Sequence, residues 1–391
     1  MTITDVGNLF MFAGGLGMFL YGMHSMSGGI QKTAGNKMKE LLGILTSNHF
    51  MAVVVGALVT AIIQSSGATT VMVVGFVNAG IMTLTQAVGV IMGANIGTCI
   101  TAWIVSLGQL GDAFKAFSPS LYAPLLVGIG AFLIMFSKKA KKQTVGEILV
   151  GLGLLFIGLD FMGDAAGDYL HLPIFTRAFE LFGSNPILGI LIGVIVTAIM
   201  QSSSAAVGVL QTLAAAGGVV TASSAMYISL GSNIGYCCTA LLSSLGESRN
   251  AKRSAVIHLT FNVLGALVWG SGLFVLFQFR PAFGTMGIDS VGISVFHTIF
   301  NLVCTVLMTP LRGKLVALSG LLVKGGDEQE QAEQSDDAIT LRHLDDRILE
   351  TPSFAVENAI LEVVHMGHIA NENMERAFEA VMNYDKEKIE Q

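Results

Sequence analysis

The sequence has 391 residues, of which 52% are hydrophobic and only 12% are charged. A typical soluble domain carries about 25% charged residues, so this composition excludes an ordinary cytosolic enzyme. Residues 1–324 carry a net charge of +6 and residues 325–391 a net charge of −12. No basic cluster is interleaved with aromatic side chains, which excludes a nucleic-acid-binding surface, and the cysteines lie in apolar stretches rather than in a metal-binding pattern.

Seven stretches of the sequence are apolar and long enough to cross a bilayer, which requires about 20 residues per helix. In chain order they are 7–31, 85–107, 120–136, 145–167, 222–245, 254–278 and 290–310. The first has no preceding basic residue and no small-residue cleavage site, so we interpret it as a retained helix rather than a signal peptide. The sequence therefore predicts a multi-pass protein embedded in the lipid bilayer of the cell membrane.

Two further apolar stretches, 50–80 and 186–217, either cross the membrane once or enter and return on the same side. Lysine and arginine are enriched in cytoplasmic loops, so their distribution can decide between these topologies. If both stretches are re-entrant and the C-terminus is cytoplasmic, 13 basic residues lie inside and 3 outside, whereas single crossings give 11 and 5. The count favours re-entrant hairpins and a cytoplasmic C-terminus.

The sequence is internally duplicated. Residues 56–80 align with 193–217 at an offset of 137. The segment GANIGTCIT at 93–101 aligns with GSNIGYCCT at 231–239 at an offset of 138. In the re-entrant topology the two copies have opposite orientations in the membrane, which is typical of secondary transporters with a binding site near the midplane.

These patterns predict an all-α integral membrane protein of two inverted repeats, each with a re-entrant helical hairpin that carries a QSS motif. We expect repeat 1 at about 7–136, repeat 2 at about 145–278 and an extra helix at 290–310, together forming a transporter domain over 1–320. An acidic linker is expected at 321–337.

Each hairpin contains one polar interruption, QSSG at 64–67 or QSSS at 201–204. Serine hydroxyls and glutamine amides compete with the helical backbone for hydrogen bonds, and a break at membrane depth is tolerated where it faces protein or water. The helix that follows such a break presents free N–H groups and a partial positive charge, which suit an anion. Hydroxyl, amide and carbonyl oxygens suit sodium. Neither motif contains a carboxylate, so a divalent-metal site is not expected.

Other polar residues in the apolar stretches allow two interpretations. Asn95 and Asn233 occupy matched positions between glycines and either belong to the ion or substrate shell or form interhelical hydrogen bonds. HLTFN at 258–262 and HTIFN at 297–301 place histidine and asparagine on one helix face, and a structural role is favoured over a functional one.

The same preference for a structural role applies to two acidic residues and to the histidine at the matched position in the first half. These are Asp160, Asp164 and His24.

The duplicated QSS loops, each followed by a G-x-N-I-G segment, closely resemble those of the type II sodium-phosphate cotransporters and their bacterial relatives over roughly 1–320. The resemblance implies that both loops hold phosphate together with sodium, with sodium ions as coupling ions and no other cofactor. The candidate phosphate- and sodium-binding residues are Gln64, Ser65, Ser66, Thr69, Thr70, Asn95, Gln201, Ser202, Ser203, Ser204 and Asn233. Gly67 replaces the third serine of the first motif, so the two halves are expected to bind different partners.

The acidic tail resembles the start of the PhoU-like cytoplasmic region found in many bacterial members of that family. Over 338–391 it has an apolar helical face from Phe354 to Phe378 that is expected to be interrupted at Gly367. Its role is either to bind a cytoplasmic regulator or to mediate self-association, and solvated helices without a separate function are the alternative.

The leading hypothesis is a secondary transporter in which sodium entry drives phosphate uptake by alternating access. One alternative is an exporter of phosphate or a related oxyanion with the same fold, and another is a phosphate sensor that uses the tail. An intramembrane serine protease is a remote alternative, because a nucleophile requires one activated serine whereas this motif is duplicated. We therefore do not expect an enzyme.

Overall fold

The structure is a computed structural model. It describes residues 3–43, 48–78, 80, 82–108, 119–170, 172–217, 220–324 and 352–383. Most of the predicted linker at 321–337 lies outside these residues. The described residues form helices joined by short turns and irregular connections, with one isolated antiparallel bridge between Thr221 and Gly287. The prediction of an all-α protein is confirmed.

The described chain forms two compact units, and the first extends to Lys324. Its helices are α1 (Ile3–Gly43), α2 (His49–Ile63), α3 (Ser66–Asn78), α4 (Leu84–Gly108), α5 (Pro119–Phe136), α6 (Ala140–Leu170), α7 (Pro173–Ser184), α8 (Pro186–Met200), α9 (Ser203–Gly217), α10 (Ala222–Gly235), α11 (Cys237–Ser243), α12 (Arg249–Phe279), α13 (Pro281–Thr285), α14 (Ser290–Met308), a 3₁₀ turn (Thr309–Leu311) and α15 (Arg312–Leu322). The second unit is described over one helix, α16 (Pro352–Asn383).

Six described segments are long and apolar enough to span a membrane. They are Asp5–Thr33, Leu84–Gly108, Ala140–Gly167, Ala222–Ser243, Arg249–Phe279 and Ser290–Leu322. Each coincides with a predicted stretch, while the stretch at 120–136 corresponds to the shorter helix α5. This set of apolar helices fits a membrane protein.

The stretches at 50–80 and 186–217 each contain two short helices. The pairs are α2 with α3, of 15 and 13 residues, and α8 with α9, of 15 residues each. At 1.5 Å per residue a helix of this size is about 20–22 Å long, which is shorter than the hydrocarbon core of about 30 Å. Asn48 and Asn185 cap α2 and α8, each through a side-chain oxygen that accepts from backbone N–H groups. Each short helix therefore needs protein neighbours to complete its burial.

Glycines bring the first helix of each pair against the helix that follows the pair. A Cβ on Gly93 of α4 would lie 2.0 Å from the carbonyl oxygen of Val53 in α2. In the matched place, a Cβ on Gly231 of α10 would lie 2.0 Å from the carbonyl oxygen of Ile190 in α8. Any side chain at these positions would force the helices apart, so the matched glycines set both close contacts.

The matched helices α1 and α6 also pack on each other through glycine. A Cβ on Gly22 would lie 2.5 Å from the backbone nitrogen of Leu155, and one on Gly158 would lie 2.5 Å from the carbonyl oxygen of Gly15. The largest buried side chains beside this contact include Phe19, which is fully buried.

Several boundaries differ from the predictions. The stretch at 222–245 is divided at Tyr236 into α10 and α11, and α7 is an additional helix bent by 112° from α8. The helix α16 is continuous through Gly367, the residue that interrupts its apolar face in the sequence. A single glycine costs a helix about 1 kcal/mol relative to alanine, which is too little to end a helix of this length.

Candidate functional site

The two short-helix pairs are interrupted in the same way. The helices α2 and α8 end at Gln64 and Gln201, whose backbones are left-handed, with φ of 58° and 53°. The backbone N–H of each glutamine donates to a threonine carbonyl one turn earlier, at 2.7 Å, from Thr60 or Thr197. One helix therefore ends at the first residue of each motif, and a new helix starts at the second serine.

The serines Ser65 and Ser202 cap the new helices. Ser65 Oγ accepts from the N–H of Ala68 at 3.2 Å, and Ser202 Oγ accepts from the N–H of Ala205 at 3.2 Å. The first N–H groups of a helix have no partner within it, and these caps leave the two N–H groups nearest each break without an intrahelical acceptor. Both helices therefore present donors to an anion at their N-termini.

Hydrogen bonds within the first half engage most polar groups of its loop. Thr60 Oγ1 donates to Thr69 Oγ1 at 3.0 Å, and Thr69 Oγ1 donates to the carbonyl oxygen of Ser65 at 3.0 Å. Thr101 Oγ1 donates to Gln64 Oε1 at 3.1 Å. The first loop is thereby tied to α2, α3 and α4.

Another helix also contacts the first loop. Ser27 Oγ in α1 donates to the carbonyl oxygen of Ile63, the residue before the turn. Gln64 Nε2 donates to the carbonyl oxygen of Ala61 at 2.5 Å, and Thr70 Oγ1 donates to Gly67 within its own helix. The carbonyl oxygen of Ile63 and the side-chain amide of Gln64 therefore have protein partners.

Three buried hydroxyls in and around the second loop lack the hydrogen bonds seen around the first loop. Among the described residues, Thr197 Oγ1, Ser203 Oγ and Thr239 Oγ1 have no hydrogen-bond partner. Thr197 and Ser203 are 0% and 1% exposed. A buried hydroxyl without a partner costs stability, so these three hydroxyls are candidate ligand groups.

Specific substitutions between the halves explain the missing partner of Thr197, whereas Thr239 and Gln201 are identical to the hydrogen-bonded pair Thr101 and Gln64 of the first half. Ala206 stands at the position of Thr69, so Thr197 has no hydroxyl to contact where Thr60 has one. Gly163 stands at the position of Ser27 and provides no hydroxyl for the second break. Side chains of the first half therefore occupy its own polar groups, whereas Thr197 of the second half has no partner among the residues that the structure describes.

The halves meet near these loops. A Cβ on Gly67, the residue that departs from the QSSS pattern, would lie 3.9 Å from Thr239 Cγ2 of the second half. The helix α3 packs on α11 and α12, and α9 packs on α4. The helix after each break is thus in contact with the opposite half.

Asn95 and Asn233 belong to a buried polar cluster beyond the loops. Asn233 Nδ2 donates to Asn301 Oδ1 at 2.7 Å and to Asn95 Oδ1 at 3.4 Å. Tyr236 O–H donates to Asn95 Oδ1 at 3.1 Å, and His297 Nε2 lies 3.2 Å from Asn233 Oδ1. Because Oδ1 only accepts, Nε2 of His297 is the donor. The hydrogen bonds of both asparagines therefore join α4, α10 and α14, as the interhelical interpretation expects.

The two HxxFN segments have equivalent surroundings. Cys99 Sγ donates to the carbonyl oxygen of His297 at 3.6 Å, and Asn301 Nδ2 lies 3.6 Å from Cys99 Sγ. The same contacts recur among matched residues, which are Cys237, His258 and Asn262. The helix α14 thus relates to α4 as α12 relates to α11.

The structure does not bring all candidate residues together. His24, Asp160 and Asp164 are exposed, so they are not part of the buried cluster. Sequence analysis missed Tyr236, because the matched residue of the first half is Thr98 and no pattern marked it.

The threonines around the loops were also missing from the candidate set. They are Thr60, Thr101, Thr197 and Thr239. Their identity in both halves was a usable signal, since the matched pairs retain a hydroxyl at the same place.

Comparison with known proteins identifies the family. The sequence profile described as Na⁺/Pi-cotransporter matches residues 18–164 and 171–311. YjbB of Salmonella typhimurium, which is named as a proposed inorganic phosphate export protein, is 28% identical over 362 residues. This alignment covers 92% of the present chain and 62% of YjbB, so the chain spans less than two thirds of the length of that relative.

Two further relatives differ in coverage. YqeW of Bacillus subtilis is 29% identical over 311 residues, covering 78% of this chain and 95% of YqeW. The human sodium-dependent phosphate transport protein 2B is 37% identical over 109 residues, covering 27% of this chain and 16% of that protein. No solved structure matches the chain significantly. Since the family match covers most of the sequence and the described helices include six candidate spans, the chain is a multi-pass membrane protein that belongs to the Na⁺/Pi-cotransporter family.

Proposed function

We propose that the chain is the membrane part of a sodium-coupled transporter of inorganic phosphate. The observation that carries the proposal is the pair of matched breaks, each with a left-handed glutamine followed by a serine-capped helix. Membership of the Na⁺/Pi-cotransporter family supports the same substrate. A relative named as a sodium-dependent phosphate transport protein supports sodium as the coupling ion.

Phosphate binds, in this proposal, between the N-termini of α3 and α9. The free N–H groups at these termini and the hydroxyls of Ser66 and Ser203 are donors for a phosphate oxygen. Ser203 supports this role because its buried hydroxyl has no partner among the described residues. The other loop residues, Gln64, Ser65 and Ser202, shape the turns that present these donors.

Sodium binds preferentially in the second half. The hydroxyl oxygens of Thr197 and Thr239 are buried and have no partner within the described ranges, whereas their counterparts Thr60 and Thr101 donate within the first half. Neutral oxygens suit a monovalent cation, whose positive charge then offsets the charge of bound phosphate. Gln201 and Ser204 complete the proposed set on this side.

Transport proceeds by alternating access of two inverted repeats. The charge distribution of the sequence supports re-entrant loops and a cytoplasmic C-terminus. Helices of 13 to 15 residues, paired at each break, support the same topology. Movement of one repeat against the other would expose the loops to each side of the membrane in turn.

The direction of net transport has two candidates. Sodium entry coupled to phosphate uptake is the leading one, and export is the second, because YjbB is named for proposed phosphate export. Purified protein in proteoliposomes separates them. An inward sodium gradient should drive accumulation of radiolabelled phosphate for uptake, and sodium-independent release of preloaded phosphate would instead support export.

The same assay tests the binding residues. Ser203→Ala should raise the phosphate KM about tenfold, which corresponds to about 1.4 kcal/mol of lost binding. Ser254→Ala is the matched control, because Ser254 is equally buried but its hydroxyl donates within α12 to Ala251. An unchanged KM in Ser203→Ala would contradict the role of the second loop.

The tail is proposed to regulate transport or to mediate self-association. Several apolar side chains of α16 are exposed, among them Val363, Met366, Met374 and Phe378. Protein truncated after Lys324 should retain transport but lose regulation or self-association through the tail. Loss of transport in the truncated protein, with normal insertion, would instead favour an essential role for the tail.

A further inference from the structure

Four oxygen atoms surround one side-chain nitrogen in the middle of α9. Gln211 Nε2 lies 2.8 Å from Ser294 Oγ, 3.0 Å from Ser106 Oγ, 3.0 Å from the carbonyl oxygen of Ser290 and 3.1 Å from that of Ala102. We call these four oxygens the oxygen cage. Two of them are carbonyl oxygens, which only accept, so the orientation of the amide is fixed.

The oxygen cage joins three helices at a fully buried point. Ala102 and Ser106 lie on α4, Ser290 and Ser294 lie on α14, and Gln211 itself is 0% exposed. The amide therefore ties the helix that follows the QSSS motif to both of its neighbours. A lateral or axial shift of α9 would break all four contacts at once.

The matched contact of α3 in the first half is mostly apolar, whereas the contact of α9 is polar. The offsets of 137 and 138 that align the repeats, and the offset of 39 that aligns the two HxxFN segments, give a counterpart for each residue. The counterparts are Val74, Ala240, Ser244, Ala251 and Ala255. Val74 and the three alanines form an apolar cluster between α3, α11 and α12.

These two contacts respond differently to movement. Hydrogen bonds are directional, and separating a buried amide from its acceptors leaves its N–H groups unsatisfied, although the serine hydroxyls of the oxygen cage still bond to each other and to the two carbonyl oxygens. Contacts between valine and alanine are non-directional, and small side chains allow one helix to shift along another. The contact of α9 is therefore rigid, and the contact of α3 allows sliding.

The side chain of Gln211 also carries a cost to stability. Its Oε1 is buried and has no partner in the described part of the chain. A valine, as in the first half, would avoid this unsatisfied oxygen. A residue that served only to fill space would not need the amide, which supports a role in the transport cycle.

We propose that Gln211 is a positioning residue of transport: it holds α9 to α4 and α14 as one body, while α3 shifts against α11 and α12. The inference rests on the proposed function, since it assigns the moving contact of the alternating-access cycle. Phosphate would then be released through movement of the first loop, with the second loop held in register by the oxygen cage.

Reciprocal exchange of the two contacts tests this proposal. The variant Gln211→Val/Ser290→Ala/Ser294→Ala gives the second half the chemistry of the first. It should fold, because the new contact is already present in the same protein at the matched place. We expect faster amide hydrogen exchange over 203–217 with unchanged exchange over 66–78, and a phosphate KM raised about tenfold with a maximal rate within about twofold of the unmodified protein.

The opposite variant, Val74→Gln/Ala251→Ser/Ala255→Ser, installs an oxygen cage in the first half. It should slow exchange over 66–78 and lower the maximal transport rate about tenfold while leaving the phosphate KM unchanged. Val74→Leu controls for side-chain volume, and Thr212→Val controls for loss of a hydroxyl that donates within α9 to Gly208.

Two results would overturn the proposal. One is that Gln211→Val/Ser290→Ala/Ser294→Ala leaves both the hydrogen exchange over 203–217 and the phosphate KM unchanged. The other is that folded Val74→Gln/Ala251→Ser/Ala255→Ser leaves the transport rate unchanged. If this second variant does not fold, the result with the first variant decides. Hydrogen exchange can be measured without transport. Absence of phosphate transport by the unmodified protein would therefore refute the proposed function, while the exchange data would still test whether Gln211 holds α9 to α4 and α14.

Discussion

Gln64 and Gln201 lie 137 positions apart and adopt the same left-handed backbone conformation, with φ of 58° and 53°. They are the only residues other than glycine with positive φ in the described part of the chain. Such a conformation costs a residue with a side chain about 1–3 kcal/mol. The strain occurs twice, each time two residues before a serine proposed to bind phosphate, Ser66 or Ser203, so the turn has the same geometry in both halves.

Replacing these glutamines with glycine should separate stability from function. Gln201→Gly relieves the backbone strain and should raise the free energy of unfolding by about 1 kcal/mol. Gln64→Gly should gain less, because it also removes the hydrogen bond from Thr101. Thermal unfolding in detergent measures the difference, and phosphate transport should fall in both variants. A lower unfolding temperature for Gln201→Gly would contradict the strain argument.

The first loop should accept a third serine. A Cβ on Gly67 would be in ordinary van der Waals contact with Thr239 Cγ2 at 3.9 Å, and the residue has no positive φ. Gly67→Ser should therefore change the unfolding temperature little and retain transport. The bulkier Gly67→Phe should block transport by filling the space between the halves. Unfolding of the protein by Gly67→Ser would contradict the described distance between Gly67 and Thr239 of α11.

The close contact between α8 and α10 should not accept a methyl group. A Cβ on Gly231 would lie 2.0 Å from a backbone oxygen, and overpacking of this kind costs at least about 1–3 kcal/mol. Gly231→Ala should therefore lower the unfolding temperature and the yield of folded protein. Gly272→Ala is the control, because nothing lies within 4 Å of its Cβ. Equal effects of both substitutions would refute the packing argument.

Substitution of the asparagine on α14 should destabilise the protein more than substitution of the matched asparagine on α12. Asn301 Oδ1 accepts from Asn233 at 2.7 Å, whereas Asn262 Oδ1 has no partner among the described residues. Asn301→Ala leaves a buried donor unsatisfied and should cost about 1–3 kcal/mol. Asn262→Ala should cost less. Unfolding free energies compare the two variants, and a larger loss for Asn262→Ala would contradict the described network.

Much of the fold could be predicted because the relevant signals are local. Apolar length located the candidate spans, and the duplication located the two pairs of short helices that break at Gln64 and Gln201. Glutamine is not a residue that favours a left-handed turn, so the conformation of Gln64 and Gln201 had no signal in residue type. The bend between α7 and α8 depends on tertiary packing, which local patterns do not report.

The polar contacts of the candidate site were less predictable, because they depend on which helices meet. Gln211 is a single amide in an apolar helix, and nothing in its neighbourhood along the chain indicates Ser106 or Ser294 as partners. Among the described residues the Thr197 hydroxyl has no partner because of a substitution elsewhere, Ala206 at the position of Thr69, that becomes meaningful only when the helices are packed.

Binding of radiolabelled phosphate to the purified protein in sodium or potassium tests whether the two loops form the phosphate and sodium site. We expect saturable binding in sodium that is lost when potassium replaces it. We also expect that Ser66→Val and Ser203→Val each abolish binding, while Ser254→Ala does not. Binding that is equal in sodium and potassium, or that persists in both serine-to-valine variants, would contradict the assignment of the two loops as the phosphate and sodium site.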